Sequence, residues 1–104
     1  MIKASFVKKN GVFSGFSLSG HSGYAECGED IVCAAVSSAA MLTVNTVTDF
    51  FGAEAEAGAE ENKLYLNLVR SSEVSEKLIE SFYTHLKVLS EQYKGTIKLN
   101  CMEV

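Results

Sequence analysis

The chain has 104 residues, of which 47% are hydrophobic and 21% are charged. This composition is typical of one globular domain spanning residues 1–104, and it excludes an intrinsically disordered chain and a separate regulatory module. The formal net charge of −4 and the single arginine, Arg70, argue against a nucleic-acid partner, because phosphate binding relies on clustered basic side chains.

The N-terminal stretch MIKASFVKK lacks the continuous apolar core of a signal peptide. No later window offers the roughly 18 uninterrupted apolar residues of a membrane span. The cysteines, Cys27, Cys33 and Cys101, are odd in number and irregularly spaced, which predicts thiols rather than a disulfide framework. We therefore expect a cytoplasmic protein with no membrane partner.

The first predicted elements are two strands joined by a hairpin turn. Apolar and polar residues alternate over residues 2–6 and again at Phe16 and Leu18, which is the period of a half-buried strand. Between the two stretches, Asn10 and Gly11 are the residues favoured in a two-residue hairpin turn. The second strand should therefore end at Gly20 and His21.

Residues 31–51, IVCAAVSSAAMLTVNTVTDFF, contain no proline or glycine and almost no charge. Such a stretch predicts a buried helix, and its small residues would let it lie close against a sheet. Asp30 is placed to cap the start of this helix and Gly52 to end it.

The second half of the chain predicts a hairpin, a helix and a final strand. Alternation on both sides of residues 60–62 indicates two more strands, and the period changes to that of a helix from Ser72. The predicted buried face of this helix consists of Val74, Leu78, Phe82, Leu86, Leu89 and Tyr93. Gly95 ends the helix, and Ile97, Leu99 and Cys101 then alternate as a last strand whose apolar face, including Cys101, we expect in the core.

The predicted order is strand, strand, helix, strand, strand, helix, strand. We expect an α+β fold, in which an antiparallel-rich sheet of about five strands carries two helices packed on it.

The stretch GHSGYAECGEDIVC, residues 20–33, places a histidine and a cysteine at the two ends of a loop that contains glycine. With Asp30 as the cap, Cys33 would be the third helical residue, where the helix dipole lowers a thiol pKa by about one unit at most. His21 could return to that point and act as its base, and backbone N–H groups at the helix start, including that of Cys33, could hold an oxyanion.

On the residues alone, several alternatives stay open. Cys33 could be a small buried hydrophobic residue. Asp30 could orient His21 instead of capping the helix, and Ser37, four residues after Cys33, could contact substrate or simply pack against the sheet. Cys27 could form a reversible disulfide with Cys33. A zinc site built on His21, Cys27 and Cys33 is disfavoured because their spacing does not match structural zinc sites and no fourth ligand is evident.

The segment GHSGYAECGEDIVCAAVS, residues 20–37, resembles the signature of the Prp family, the ribosomal-processing cysteine proteases. The resemblance is ungapped over this motif and extends over the whole chain in length and in the order of elements. Besides the histidine and the cysteine, the matching positions are Gly20, Gly28, Asp30, Ala34, Ala35, Val36 and Ser37. The one departure is Ser22, where the family usually has alanine, which leaves local hydrogen bonding next to the base in doubt.

The resemblance implies a cytoplasmic cysteine endopeptidase in which His21 is the catalytic base and Cys33 the nucleophile, with no cofactor and no metal. Its substrate would be the N-terminal extension of the twenty-seventh protein of the large ribosomal subunit, cut after a pair of aromatic residues in support of ribosome assembly. The resemblance also implies a homodimer, which would cover the apolar surface around Phe50 and Phe51. The competing hypothesis is a non-catalytic, dimeric, ribosome-associated binding module in which Cys33 only packs.

Overall fold

A computed structural model describes residues 1–20, 27–60 and 63–104, which form a five-stranded sheet with two helices. The strands are β1 (Ile2–Lys9), β2 (Val12–Ser19), β3 (Ala55–Glu60), β4 (Lys63–Leu68) and β5 (Ile97–Glu103), and the helices are α1 (Cys27–Asn45) and α2 (Glu73–Gln92). The strands lie in the order β3-β4-β2-β1-β5, and only the β1–β5 pair is parallel. The α+β class and the predicted order of elements are confirmed.

The first hairpin turns at the predicted residues. Asn10 and Gly11 have φ angles of 54° and 80°, the left-handed pair that a tight hairpin turn requires. Alternation did not predict a bulge in β2, where Ser14 is the extra residue between the pairs that Val7 and Lys8 make across the hairpin. The Ser14 hydroxyl is buried and donates a hydrogen bond of 3.3 Å to the carbonyl oxygen of Val7, which compensates its burial.

The second hairpin also follows the predicted alternation. Leu64, Leu66 and Leu68 are buried on one face of β4. Ala55, Ala57 and Ala59 of β3 pair with these leucines and therefore lie on the same face of the sheet. β3 thus presents only small side chains to the helix side of the sheet, at its edge.

α1 begins four residues earlier than predicted, at Cys27, so the prediction that Asp30 is its N-cap is wrong. Acidic residues are favourable inside the first turn of a helix as well as at its cap, so the Glu29-Asp30 pair is compatible with extending the helix. The consequence is that Cys33 is the seventh helical residue and lies beyond the first turn.

The end of α1 is more irregular than predicted. A single π turn, Thr46–Phe50, follows Asn45, and Gly52 then leaves the helix with a φ of 60°. Gly52 is therefore the predicted stop, but the π turn was not foreseen, because nothing in a run without glycine or proline marks one. The turn leaves Phe50 82% exposed and Phe51 58% exposed.

In the part of the chain that the structure describes, one helical segment, Ile31–Phe50, is long and apolar enough to cross a membrane, with a mean hydropathy of 1.6. One side of it belongs to the core, where Val32, Val36, Ala40 and Val47 are fully buried. The helix therefore has an apolar inner side inside the fold and a second, exposed side that is also nearly free of charge.

The core lies between the sheet and the two helices, which contact each other on the same face. Phe6 is at its centre, and its ring centroid lies 5.0–6.0 Å from those of Phe13, Phe16, Phe82 and Tyr83. These edge-on and tilted contacts hold β1, β2 and α2 together.

Two predicted core positions are wrong. In α2, Val74 is 44% exposed, because the buried stripe runs through Ser75 and Ile79 before it reaches the predicted Phe82, Leu86 and Leu89. In β5, burial falls from Ile97 to a half-buried Leu99, and Cys101 is exposed. β5 is an edge strand, and its later residues extend beyond the cover of the core, so the alternation there is not matched by burial.

Candidate active site

The predicted site begins at the end of β2. Gly20 follows that strand with a φ of 80°, and a Cβ placed there would collide with the carbonyl oxygen of Met1. Only glycine can combine this backbone angle with this close approach. His21 and Ser22 come next and lie outside the described residues, so the pairing of His21 with Cys33 stays a prediction.

Cys33 lies on the inner side of α1, at the border of the buried stripe. Its exposed fraction is 8%, whereas Ile31 is 59% exposed and Ala34 is exposed. Only the edge of the Cys33 side chain can therefore be reached from outside the core. A nucleophile in this position can react with a bound group that approaches along the helix surface.

The later start of α1 changes two assignments. The N–H groups without an intrahelical acceptor belong to the first four residues, Cys27 to Asp30, and Cys33 lies beyond them. The expectation that the N–H of Cys33 could hold an oxyanion is therefore wrong, and the dipole acts on its thiol from almost two turns away. Asp30 as a residue that orients His21 stays a prediction.

Ser37 lies one turn after Cys33 and is half-buried, on the same side of α1. It is placed between Cys33 and the residues one turn further on, so a peptide lying along the helix would pass it. The position of Ser37 is therefore compatible with both predictions, packing against the sheet and contact with substrate.

The next feature along α1 is a cavity of about 210 Å³, open to solvent, between the helix and the second hairpin. Its lining consists of Met41, Val44, Asn45, Ala57, Gly58, Ala59, Leu64 and Tyr65. The sequence did not predict this cavity, because the space depends on the distance between α1 and β3. The available signal was the alternation of alanines in β3, which leaves space beside the helix.

In residues 1–20, 27–60 and 63–104 no group of three histidine, cysteine, aspartate or glutamate side chains is placed to hold a metal ion. The disfavoured zinc hypothesis includes His21, which is outside these ranges, and is therefore not tested.

The chain is similar to known proteases over nearly its full length. The family model "Cysteine protease Prp" matches residues 1–98. The Ribosomal processing cysteine protease Prp of Bacillus subtilis (strain 168) is 28% identical over 108 residues, covering 95% of this chain and 96% of that protein.

Two crystal structures have the same fold. That of SMU.848 from Streptococcus mutans has 27% identity and a TM-score of 0.88, covering 100% of this chain and 96% of the other. That of the ribosomal processing protease Prp from S. aureus, in complex with a substrate peptide, has a TM-score of 0.90 and covers 97% and 99%. Its identity is 20%, so this second likeness concerns the fold alone.

Proposed function

Because the chain belongs to the Prp family of cysteine proteases, as the match over residues 1–98 shows, we propose that Cys33 is its nucleophile and His21 its general base. The protein is a cysteine protease, a hydrolase of the ribosomal-processing family. The observation that carries the assignment of Cys33 is its place on α1, at the border of the buried stripe, where its side chain is 8% exposed.

In the proposed reaction, His21 accepts the proton of the Cys33 thiol, and the thiolate sulfur attacks the carbonyl carbon of the scissile peptide bond. When the C–N bond breaks, the histidinium donates its proton to the departing amine, and the acyl group remains on sulfur as a thioester. Water then attacks the thioester with His21 as the base, which releases the new carboxylate and restores the thiol.

The proposed substrate is the N-terminal extension of the twenty-seventh protein of the large ribosomal subunit, cut after a pair of aromatic residues in the cytoplasm. Two features support a peptide substrate of this kind. The B. subtilis relative carries the name of a ribosomal processing protease. Beside α1, the open cavity between the helix and the edge strand β3 has the small residues Ala57 and Ala59 in its lining.

The test of the dyad uses a peptide that copies this extension, with the products identified by mass. We expect the wild-type protein to cut after the aromatic pair, and Cys33→Ala or His21→Ala to lower kcat/KM by at least about 10⁴-fold. The matched controls are Cys101→Ala and His85→Ala, which remove an exposed cysteine on β5 and an exposed histidine on α2. Both controls should cleave at the wild-type rate, and cleavage by Cys33→Ala would refute the assignment.

Alkylation separates the ways in which cleavage can fail. A catalytic thiolate at Cys33 should react with iodoacetamide quickly near neutral pH, whereas a thiol that only packs in the core reacts after unfolding. No cut with a reactive Cys33 would indicate a different peptide substrate. No cut with an inert Cys33 would favour the non-catalytic binding module.

We also propose that the protein is a homodimer. The supporting feature is the outer face of α1, defined by the exposed residues Ile31, Ala34, Ser38 and Leu42, which lies opposite the buried stripe. No charged residue occurs between positions 31 and 48, and Leu42 is 69% exposed. A second copy of this face would cover it, and the two small residues, Ala34 and Ser38, would allow close helix packing.

A further inference from the structure

We infer that the cavity between α1 and β3 is a specificity pocket, which receives a bulky apolar side chain of the substrate three or four residues from the scissile bond. The inference rests on the proposed protease function, since it assigns a further part of the same site. The pocket adds a determinant of substrate specificity that is separate from the substrate residues next to the scissile bond.

The chemistry of the lining selects an apolar group. The eight lining residues carry no charged side chain, and Asn45 and Tyr65 are the only ones with a polar side chain. The volume of about 210 Å³ exceeds the roughly 150 Å³ of an apolar cavity that holds benzene. It is smaller than the roughly 300–1,000 Å³ of pockets for whole small molecules. One leucine-sized or ring-bearing side chain fits these limits.

The position of the pocket on α1 fixes its distance from the reacting bond. Cys33, Ser37 and Met41 follow one another at intervals of four residues, so they lie along one side of the helix. Eight residues of helix span about 12 Å, and an extended peptide advances about 3.3 Å per residue. A peptide with its scissile carbonyl at Cys33 would therefore bring its third or fourth neighbour to Met41, after passing Ser37.

β3 forms the side of the cavity that faces α1. It is the last strand of the sheet, and within residues 1–20, 27–60 and 63–104 no strand pairs with its outer edge. An extended peptide can add its backbone hydrogen bonds to such an edge while alternate side chains enter pockets. Ala57 is exposed on the side of β3 that faces α1, so it forms the floor under such a peptide.

The test measures peptide binding to the Cys33→Ala protein, so that its result does not depend on turnover. The peptides copy the extension, with alanine, leucine or phenylalanine at the third and fourth positions on each side of the scissile bond. At one of these positions we expect leucine or phenylalanine to bind about 10- to 100-fold more tightly than alanine, because burying such a side chain contributes this much affinity.

Two variants in the Cys33→Ala background locate the preference. Ala57→Leu fills the pocket and should abolish the preference for leucine or phenylalanine over alanine. Met41→Ala enlarges the pocket and should shift the preference toward phenylalanine. The matched controls are Met102→Ala, a 60% exposed methionine on β5, and Glu56→Leu, which adds the same side chain on the opposite face of β3. Both controls should keep the wild-type preference.

Several outcomes would overturn the pocket. These are equal binding of all peptides, no binding at all, and a uniform loss of affinity in Ala57→Leu. If these variants change the oligomeric state and leave the peptide selectivity unchanged, the cavity is instead part of an interface between two copies. Cleavage by the wild-type protein is measured in parallel, so selective binding without cleavage would reject the proposed protease reaction and retain the pocket.

Discussion

At the scale of single residues, two glycines of the first hairpin region with the same backbone angle have different roles. Gly11 and Gly20 both have a φ of about 80°. A Cβ at Gly11 would have no heavy atom within 4 Å, whereas a Cβ at Gly20 would meet the Met1 carbonyl. Gly11 is therefore needed for its conformation alone, and Gly20 for its conformation and for the close approach of two chain segments beside the site.

Substitution by alanine should separate these two requirements. We expect Gly11→Ala to lower the free energy of unfolding by about 1–2 kcal/mol, the penalty of a left-handed backbone for a residue with a Cβ. Gly20→Ala should cost about 3 kcal/mol or more, because the backbone must also shift to relieve the overlap. Urea unfolding measures both values. Equal losses would show that the contact with Met1 yields without cost.

At the scale of elements, α2 is held at its start by a specific cap. The Ser72 side chain accepts a hydrogen bond of 3.2 Å from the backbone N–H of Ser75. Its hydroxyl also donates a hydrogen bond of 3.0 Å to the hydroxyl of Ser75, which is fully buried. The cap therefore satisfies both the helix end and a buried polar group, and it places Ser75 on the inner side of α2.

Removing this cap should destabilise the protein more than an ordinary surface change. We expect Ser72→Ala to lower the free energy of unfolding by about 1–2 kcal/mol, because the Ser75 N–H and hydroxyl both lose a partner. The control is Ser71→Ala, which removes the neighbouring exposed hydroxyl and should cost less than about 0.5 kcal/mol. Thermal or urea unfolding measures the free energy of unfolding of both variants. Equal losses in Ser72→Ala and Ser71→Ala would contradict the stabilising role of the cap.

At the scale of the whole molecule, one sheet and α2 cover only one side of α1. The exposed apolar side chains continue from its outer face to Phe50, which is 82% exposed, and to Phe51. Isolated exposed apolar residues are ordinary, but a continuous face without charge marks an interaction surface.

Sedimentation tests the dimer. At micromolar concentration we expect a species of twice the 11.2 kDa chain mass, and we expect Leu42→Lys to sediment as a single chain because it places a charge in the interface. Val88→Lys is the control, since Val88 is 53% exposed on α2 and lies away from the outer face. A wild-type protein that sediments as a single chain would exclude the dimer.

The sequence by itself determined the order of the described strands and helices, the pairing within both hairpins and the protease family. Alternation over a period of two, the Asn10-Gly11 turn and the motif of residues 20–37 each lie within a short segment of the chain. These features can therefore be predicted without the tertiary structure. The start of α1 was missed because acidic residues are compatible with both the cap and the first turn of a helix.

Only the tertiary structure decided burial at the margins of the core. Val74 and Cys101 have the right spacing for burial, but the buried stripe of α2 runs through Ser75 and Ile79 instead of Val74, and Cys101 lies in the exposed half of the edge strand β5. The cavity between α1 and β3 also depends on the tertiary structure. It exists because the small side chains of β3 leave space next to α1, and no single segment encodes the space between two elements that are distant in sequence.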